Sequence, residues 1–268
     1  MCYGGCRKGG DGLRLLWLLV SKYSYLPVPK RWQALAAELP QALVLLPLWG
    51  LTAGLFNAAA AHWRLSADSR WLAVLLVFLS IFSSGALWLR DILSVASGLK
   101  PPPLPLNLAV NTDTPIPPTI AADKPLSLNR AALLTGCMYL LLQYGCFLGL
   151  LHFKFHVSVY ILAAVNSRFI YLWGIYDFAA LQPAYLHRSF VRREFIRSAW
   201  ASFIIAAACV AMMPSYLPAL LPALLSATLF YRRRISALGA LDEAAYGAAA
   251  GWSEILLYLY PILFSARG

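Results

Sequence analysis

Ala131 to Leu151 reads AALLTGCMYLLLQYGCFLGLL, twenty-one residues without an Asp, Glu, Lys, Arg or His. As a helix this stretch is about 31 Å long, the thickness of a bilayer's hydrocarbon core. Similar apolar runs lie on either side of it, at approximately 34–61, 71–89, 157–176, 198–213, 215–231 and 250–264. The last three are short and contain or adjoin prolines (Pro214, Pro218, Pro222, Pro261). Such spans are tolerated where neighbouring helices satisfy the freed backbone groups. The whole chain has 268 residues, 60% hydrophobic and only 12% charged. That charged share is about half the usual value for a globular protein, too small to cover a soluble surface. A secreted disulfide scaffold, a disordered chain and an ordinary cytosolic enzyme are excluded. The expected fold is an all-α integral membrane bundle of six to eight helices.

The basic balance (22 Lys and Arg against 11 Asp and Glu) belongs with this fold. With the N-terminus inside, the inner segments hold seventeen Lys and Arg and the outer ones four. This is the positive-inside asymmetry of a membrane protein. Nucleic acid is not an expected partner, because no basic stretch is interleaved with aromatics in a recognisable module. The expected partners are membrane lipid and other membrane protein subunits. No signal-peptide cleavage pattern or transit peptide is apparent. A bacterial inner membrane is the simplest location, and an organellar (mitochondrial) inner membrane is the alternative.

Residues 1–12 read as a flexible polar tail, and 13–268 as a single transmembrane helical domain. Leu13 to Tyr23 is apolar but too short to span, and is expected to lie in the interface as a helix. The inner segment at 99–129 carries Pro101, Pro102, Pro103, Pro105, Pro115, Pro117 and Pro118. Such a segment favours extended polyproline conformations, as a solvated linker or as a docking strap for a partner. Cys137, Cys146 and Cys209 sit in apolar runs, where a thiol packs. No C-x-x-C pair builds a metal site.

Three ionisable residues fall inside the expected spans: Glu38, Arg168 and Glu254. Glu38 is near a span end and can reach the interface. A charge at the bilayer centre costs at least about 2.5–3.5 kcal/mol, so it normally faces the bundle interior. Arg168 and Glu254 are therefore expected to meet, as an ion pair holding the bundle or as part of a polar pocket. His152 and His156 have the i, i+4 spacing that can hold a metal, but no carboxylate completes H-E-x-x-H. At a loop boundary they read as an interfacial pair.

Several stretches, in order, resemble the cobalamin synthase family (adenosylcobinamide-GDP ribazoletransferase). Leu26-Pro27-Val28-Pro29 is similar to the family's L-P-V-P signature, and Pro47 to Gly54 (PLWGLTAG) to its P-L-x-G-L-x-x-G pattern. Arg168 falls where the family has an arginine in a mid-chain helix. Gly247 and Glu254 resemble the closing G-A-x-x-E-x-x-E region. The resemblance implies a membrane transferase that joins a nucleotide loop to a corrinoid. In that family carboxylates at i, i+4 and i+7, in the motif G-G-x-H-x-D-G-x-x-D-x-x-D-G, share one helix face and hold a divalent metal against a diphosphate. A ribazole hydroxyl then attacks phosphorus and GMP leaves.

Placed on 85–98, the motif finds Trp88 for the histidine and Arg90, Ser94 and Ser97 for the three aspartates. A one-residue slip recovers only Asp91, with Val95 and Gly98 as its helical partners. The family's D-S-R-x-G survives only as Asp123 in the stretch Asp123 to Ser127, and its late G-D-T reads Glu243-Ala244-Ala245 with Asp242 nearby. Hard cations need several oxygen ligands, and arginine repels them. The expectation is a divergent member with no catalytic residues, no metal and no cofactor, acting as an accessory or scaffold subunit of a larger membrane complex. The alternatives are an active or altered transferase, with Arg90 and Arg192-Arg193 binding phosphate directly, and a small-molecule or lipid-binding membrane protein.

Overall fold

The computed structural model describes residues 15, 42–62, 68–84, 87–98, 129–153, 156–177, 192–238 and 243–265. The tail at 1–12, the helix expected at 13–23 (Leu15 excepted), Leu26 to Pro29, Glu38, Asp242 and the proline-rich segment up to residue 128 lie outside them. Among the described residues there are eight α-helices and no strand. They are α1 (Leu46–His62), α2 (Ser69–Ser83), α3 (Leu87–Ala96), α4 (Arg130–His152), α5 (Val157–Asp177), α6 (Arg192–Met212), α7 (Leu217–Leu238) and α8 (Glu243–Ser265), with a 3-10 turn at Pro214–Tyr216. The fold is the expected all-α membrane bundle. Four helices (α4, α5, α6 and α8) are long and apolar enough to cross a membrane, and α2 with α3 makes a fifth if that bent pair is one span.

Local chemistry sets the helix ends. Asn129 caps α4, its side chain accepting from the Ala132 amide at 2.8 Å, and Asp68 accepts from the Arg70 amide at 3.1 Å. The apolar run at 71–89 is not one helix. α2 stops at Ser83, and α3 leaves at 83° to it. At the end of α2, Ser83 Oγ donates to the Ser80 carbonyl and Ser84 Oγ to that of Ile81, both at 3.0 Å. Bonds of this kind take up carbonyls of the last turn. Two other helices begin earlier than their apolar runs. α6 starts on a polar turn at Arg192, and α8 on the run from Ala244 to Ala250, rich in alanine, which is strongly helix-forming without being very apolar.

α5 is the centre of the bundle, with α1, α8 and α6 packed around it. α8 also carries α3 and α7, while α4 receives α2 and α3. α1 runs antiparallel to α5 and lies against it through glycines. A Cβ at Gly50 would meet the Ala164 carbonyl oxygen at 2.9 Å, and one at Gly54 would meet Ile161 Cα at 2.5 Å. Only hydrogen fits at either place. Polar groups inside the bundle link helices instead of facing lipid. Gln143 Nε2 on α4 donates to Ser80 Oγ on α2 at 2.7 Å. Trp49 Nε1 donates to the Ser83 carbonyl at 2.9 Å, Tyr231 to that of Ile170 at 3.1 Å, and Tyr216 to that of Leu257. The outer surface is apolar, with Trp71, Phe78, Leu134, Leu141, Trp200 and Phe203 exposed, as a lipid-facing surface requires.

The order of the helices gathers the arginines at one end. Tyr176 at the end of α5 stacks on Phe195 at the start of α6, with ring centroids 4.0 Å apart. Tyr231 near the end of α7 packs on Tyr246 near the start of α8. Arg130, Arg192, Arg193, Arg197 and Arg232 to Arg234 therefore share an end, while Asp68, Arg70, His62 and His152 lie at the other.

Candidate functional site

The two charges expected within the membrane lie together. Arg168 projects from α5 and Glu254 from α8, with Nη1 and Oε2 3.5 Å apart and both side chains 3% exposed. The guanidinium is held from its own helix as well: Nη1 donates to the Ala164 carbonyl at 3.1 Å and to Ser167 Oγ at 2.9 Å. Glu254 Oε1 accepts from Tyr258 at 3.1 Å, one helical turn further along α8. A buried pair is sustained only when further hydrogen bonds satisfy both partners, and these bonds supply that.

α3 closes over the pair. Trp88 is buried, its ring 5.6 Å from Arg168 Cζ and 5.6 Å from the ring of Tyr171. The cation thus has a carboxylate and an indole within reach, and the indole contributes through its quadrupole. α3 can come this close because α8 offers glycines. A Cβ at Gly251 would meet Trp88 Cβ and Ile92 Cδ1 at 3.2 Å, and one at Gly247 would lie 1.9 Å from Asp91 Oδ2. On the opposite side Gly136 of α4 admits Leu93. α3 is wedged between α8 and α4, with Trp88, Asp91 and Ile92 turned inward.

The motif positions therefore separate. Trp88 enters the core. Arg90 stands at the rim, 45% exposed, with Nη2 3.5 Å from the carboxylate of Asp91. Ser94 and Ser97 are half-buried, and Ser97 Oγ donates to the Ser94 carbonyl at 2.7 Å. The buried acid of this helix is Asp91, to which the motif alignment assigned no role. What sequence reasoning lacked was the choice of inward face, which Gly247 and Gly251 make from α8. Tyr258 and Ser167 were also missed, although Tyr258 stands at i+4 from Glu254 and Ser167 beside Arg168.

The oxygen donors of α3 and the turn that follows it are Asp91, Ser94 and Ser97. One carboxylate is present on α3. It is turned against the backbone at Gly247 and lies beside an arginine, and the Ser97 hydroxyl is already bonded. His152 packs on Phe153, and His156 Nδ1 lies 3.0 Å from Ser158 Oγ. Among the described residues no group of three His, Cys, Asp or Glu is placed to hold a metal.

The family model described as cobalamin-5-phosphate synthase matches residues 130–262. The chain belongs to the cobalamin-5-phosphate synthase family. No curated protein and no solved structure matches it. The matched residues run from α4 to near the end of α8 and include both Arg168 and Glu254, whereas α3 precedes them. This cobalamin-5-phosphate synthase relative is thus an integral membrane protein related to cobalamin biosynthesis, and its ion pair belongs to the family's region of the chain.

The seat of α3 gives a direct test. Gly247→Ala should cost about 1–3 kcal/mol, because the new methyl falls on a buried carboxylate. Asp91→Ala in the same chain should recover part of that loss, since it removes the two nearest obstructing atoms and leaves the Asp91 Cβ at 2.9 Å. Unfolding midpoints of the single and double variants in detergent decide it.

Proposed function

We propose that this chain is a non-catalytic member of the family and serves as an accessory or scaffold subunit of a larger membrane complex. The observation that carries this reading is what occupies the α3 face. Trp88 caps the Arg168–Glu254 pair, so a fixed guanidinium already neutralises the interior carboxylate. Arg90, which takes the first acidic position of the resemblance, stands at the rim with its charge directed at Asp91. Phosphoryl transfer through a divalent ion needs several carboxylates on one face, and this helix supplies a single one, Asp91, paired with an arginine. In the proposed role the family bundle is retained as a rigid body, and the proline-rich segment at 99–129 serves as a docking strap. The proposed location is a bacterial or organellar inner membrane with the N-terminus inside, which sets the arginine-rich end on the inner side.

The test has two arms. Purified protein supplied with magnesium, adenosylcobinamide-GDP and α-ribazole should release no GMP above the rate without protein. Isolation in mild detergent should return it in fixed stoichiometry with another membrane protein. Turnover that disappears in Asp91→Asn would overturn the non-catalytic reading and make Asp91 the acid of an altered transferase. A lone monomer from native membranes would overturn the accessory role.

A further inference from the structure

α7 carries two rows of side chains at a spacing of four residues. The inward row is Ala219, Ala223, Ala227 and Tyr231, all buried, which packs α7 onto α8. The outward row is Leu217, Leu221, Leu225 and Leu229, each 56–72% exposed, and its next member is Arg233, with Arg232 beside it. A row at i+4 is one continuous ridge on the helix surface, so the leucines lead directly to the guanidinium. At 1.5 Å per residue, Leu221 to Arg232 covers about 16 Å, close to the hydrocarbon depth of one leaflet.

The charge placement is unusual in one respect. The uncharged part of α7, Leu217 to Tyr231, is fifteen residues or about 22 Å, short of a hydrocarbon core of about 30 Å. Its arginines are therefore drawn to the hydrocarbon boundary, where a cation needs an anionic partner or must snorkel to reach one. The same end of α6 repeats the pattern. Arg197 is exposed, followed by exposed Trp200 and Ile204 on the same face. Arginine at phosphate level, tryptophan at the interface and aliphatic residues below match the layers of a phospholipid.

We propose that the outer ridge of α7 is a binding surface for anionic phospholipid. The leucine row lies along an acyl chain, and Arg232 and Arg233 take the phosphate. The assignment is independent of the accessory role and holds equally for an active enzyme.

The test uses the full chain in mild detergent micelles containing equal phosphatidylglycerol and phosphatidylcholine with identical acyl chains. Lipid retained on the protein is read by native mass spectrometry. Wild type should retain phosphatidylglycerol preferentially, and raised salt should weaken the preference. At about fivefold per arginine, R232Q/R233Q should lower the preference roughly 25-fold and R233Q alone about fivefold. Arg70→Gln, at the other end of the bundle, should leave it unchanged. Because these arginines are exposed, the variants should keep the wild-type unfolding midpoint; should the double variant fail to fold, R233Q decides. Equal retention of the two lipids by wild type would overturn the proposal, as would an equal loss in Arg70→Gln. Displacement of phosphatidylglycerol by inorganic phosphate alone would also overturn it, since the site would then belong to a soluble phosphate compound.

Discussion

Arg168→Met should destabilise the folded protein by about 3–5 kcal/mol, because it leaves the Glu254 carboxylate buried without its cation. Tyr258 would still donate to Oε1, but one neutral donor does not replace a guanidinium. Glu254→Gln should cost a comparable amount by stranding Arg168, whose remaining acceptors are the Ala164 carbonyl and the Ser167 hydroxyl. The double variant should lose clearly less than the sum, since neither charge is then left alone. Denaturant unfolding of the four proteins in one detergent measures the coupling. Strictly additive losses would show that the pair does not act as a unit. The indole of Trp88 adds a smaller effect: Trp88→Leu should weaken the same region while leaving the coupling between the charges intact.

Gly54→Val is the other large effect. Its Cβ would lie 2.5 Å from Ile161 Cα, 2.9 Å from the Tyr160 carbonyl oxygen and 3.1 Å from the Ile161 nitrogen. All three are backbone atoms of α5, so no rotamer change relieves the contact and the two helices must separate. Overpacking of a core costs about 1–3 kcal/mol where side chains can adjust, and a loss at or above about 3 kcal/mol is expected here. The discriminating experiment is Ile161→Ala in the same chain, which should restore nothing because the clash is not with the Ile161 side chain. Recovery by that second change would refute the backbone contact. Gly247 differs, since its nearest obstacles are side-chain atoms of Asp91, two of which truncation to alanine removes.

These contrasts indicate what could be read from the chain and what could not. Apolar runs near twenty residues announce themselves, because the bilayer excludes charge and demands internally bonded backbone. α4 and α5 accordingly fall close to their expected ranges. The break between α2 and α3 did not show in hydropathy, because leucine and tryptophan occur on both sides of it. The meeting of Arg168 and Glu254 was legible from cost alone, since few arrangements satisfy two intramembrane charges. The depth of Asp91 and Trp88 was not. Which face of a ten-residue helix turns inward depends on glycines of α8, far away in sequence, and hydropathy along α3 does not contain that information.

The separation of 86 positions between the two charges also sets an order of events during synthesis. Arg168 leaves the ribosome well before Glu254. At about 5–20 residues per second, roughly 4–17 s pass before the carboxylate exists. During that interval α5 carries a cation into the membrane region with no anion to meet it, at a cost of at least about 2.5–3.5 kcal/mol. The central helix is thus expected to gain the partner of its buried charge only when α8 is made. Nascent chains arrested before α8 should leave α5 accessible to aqueous thiol reagents at an engineered cysteine. Chains released with α8 complete should protect it.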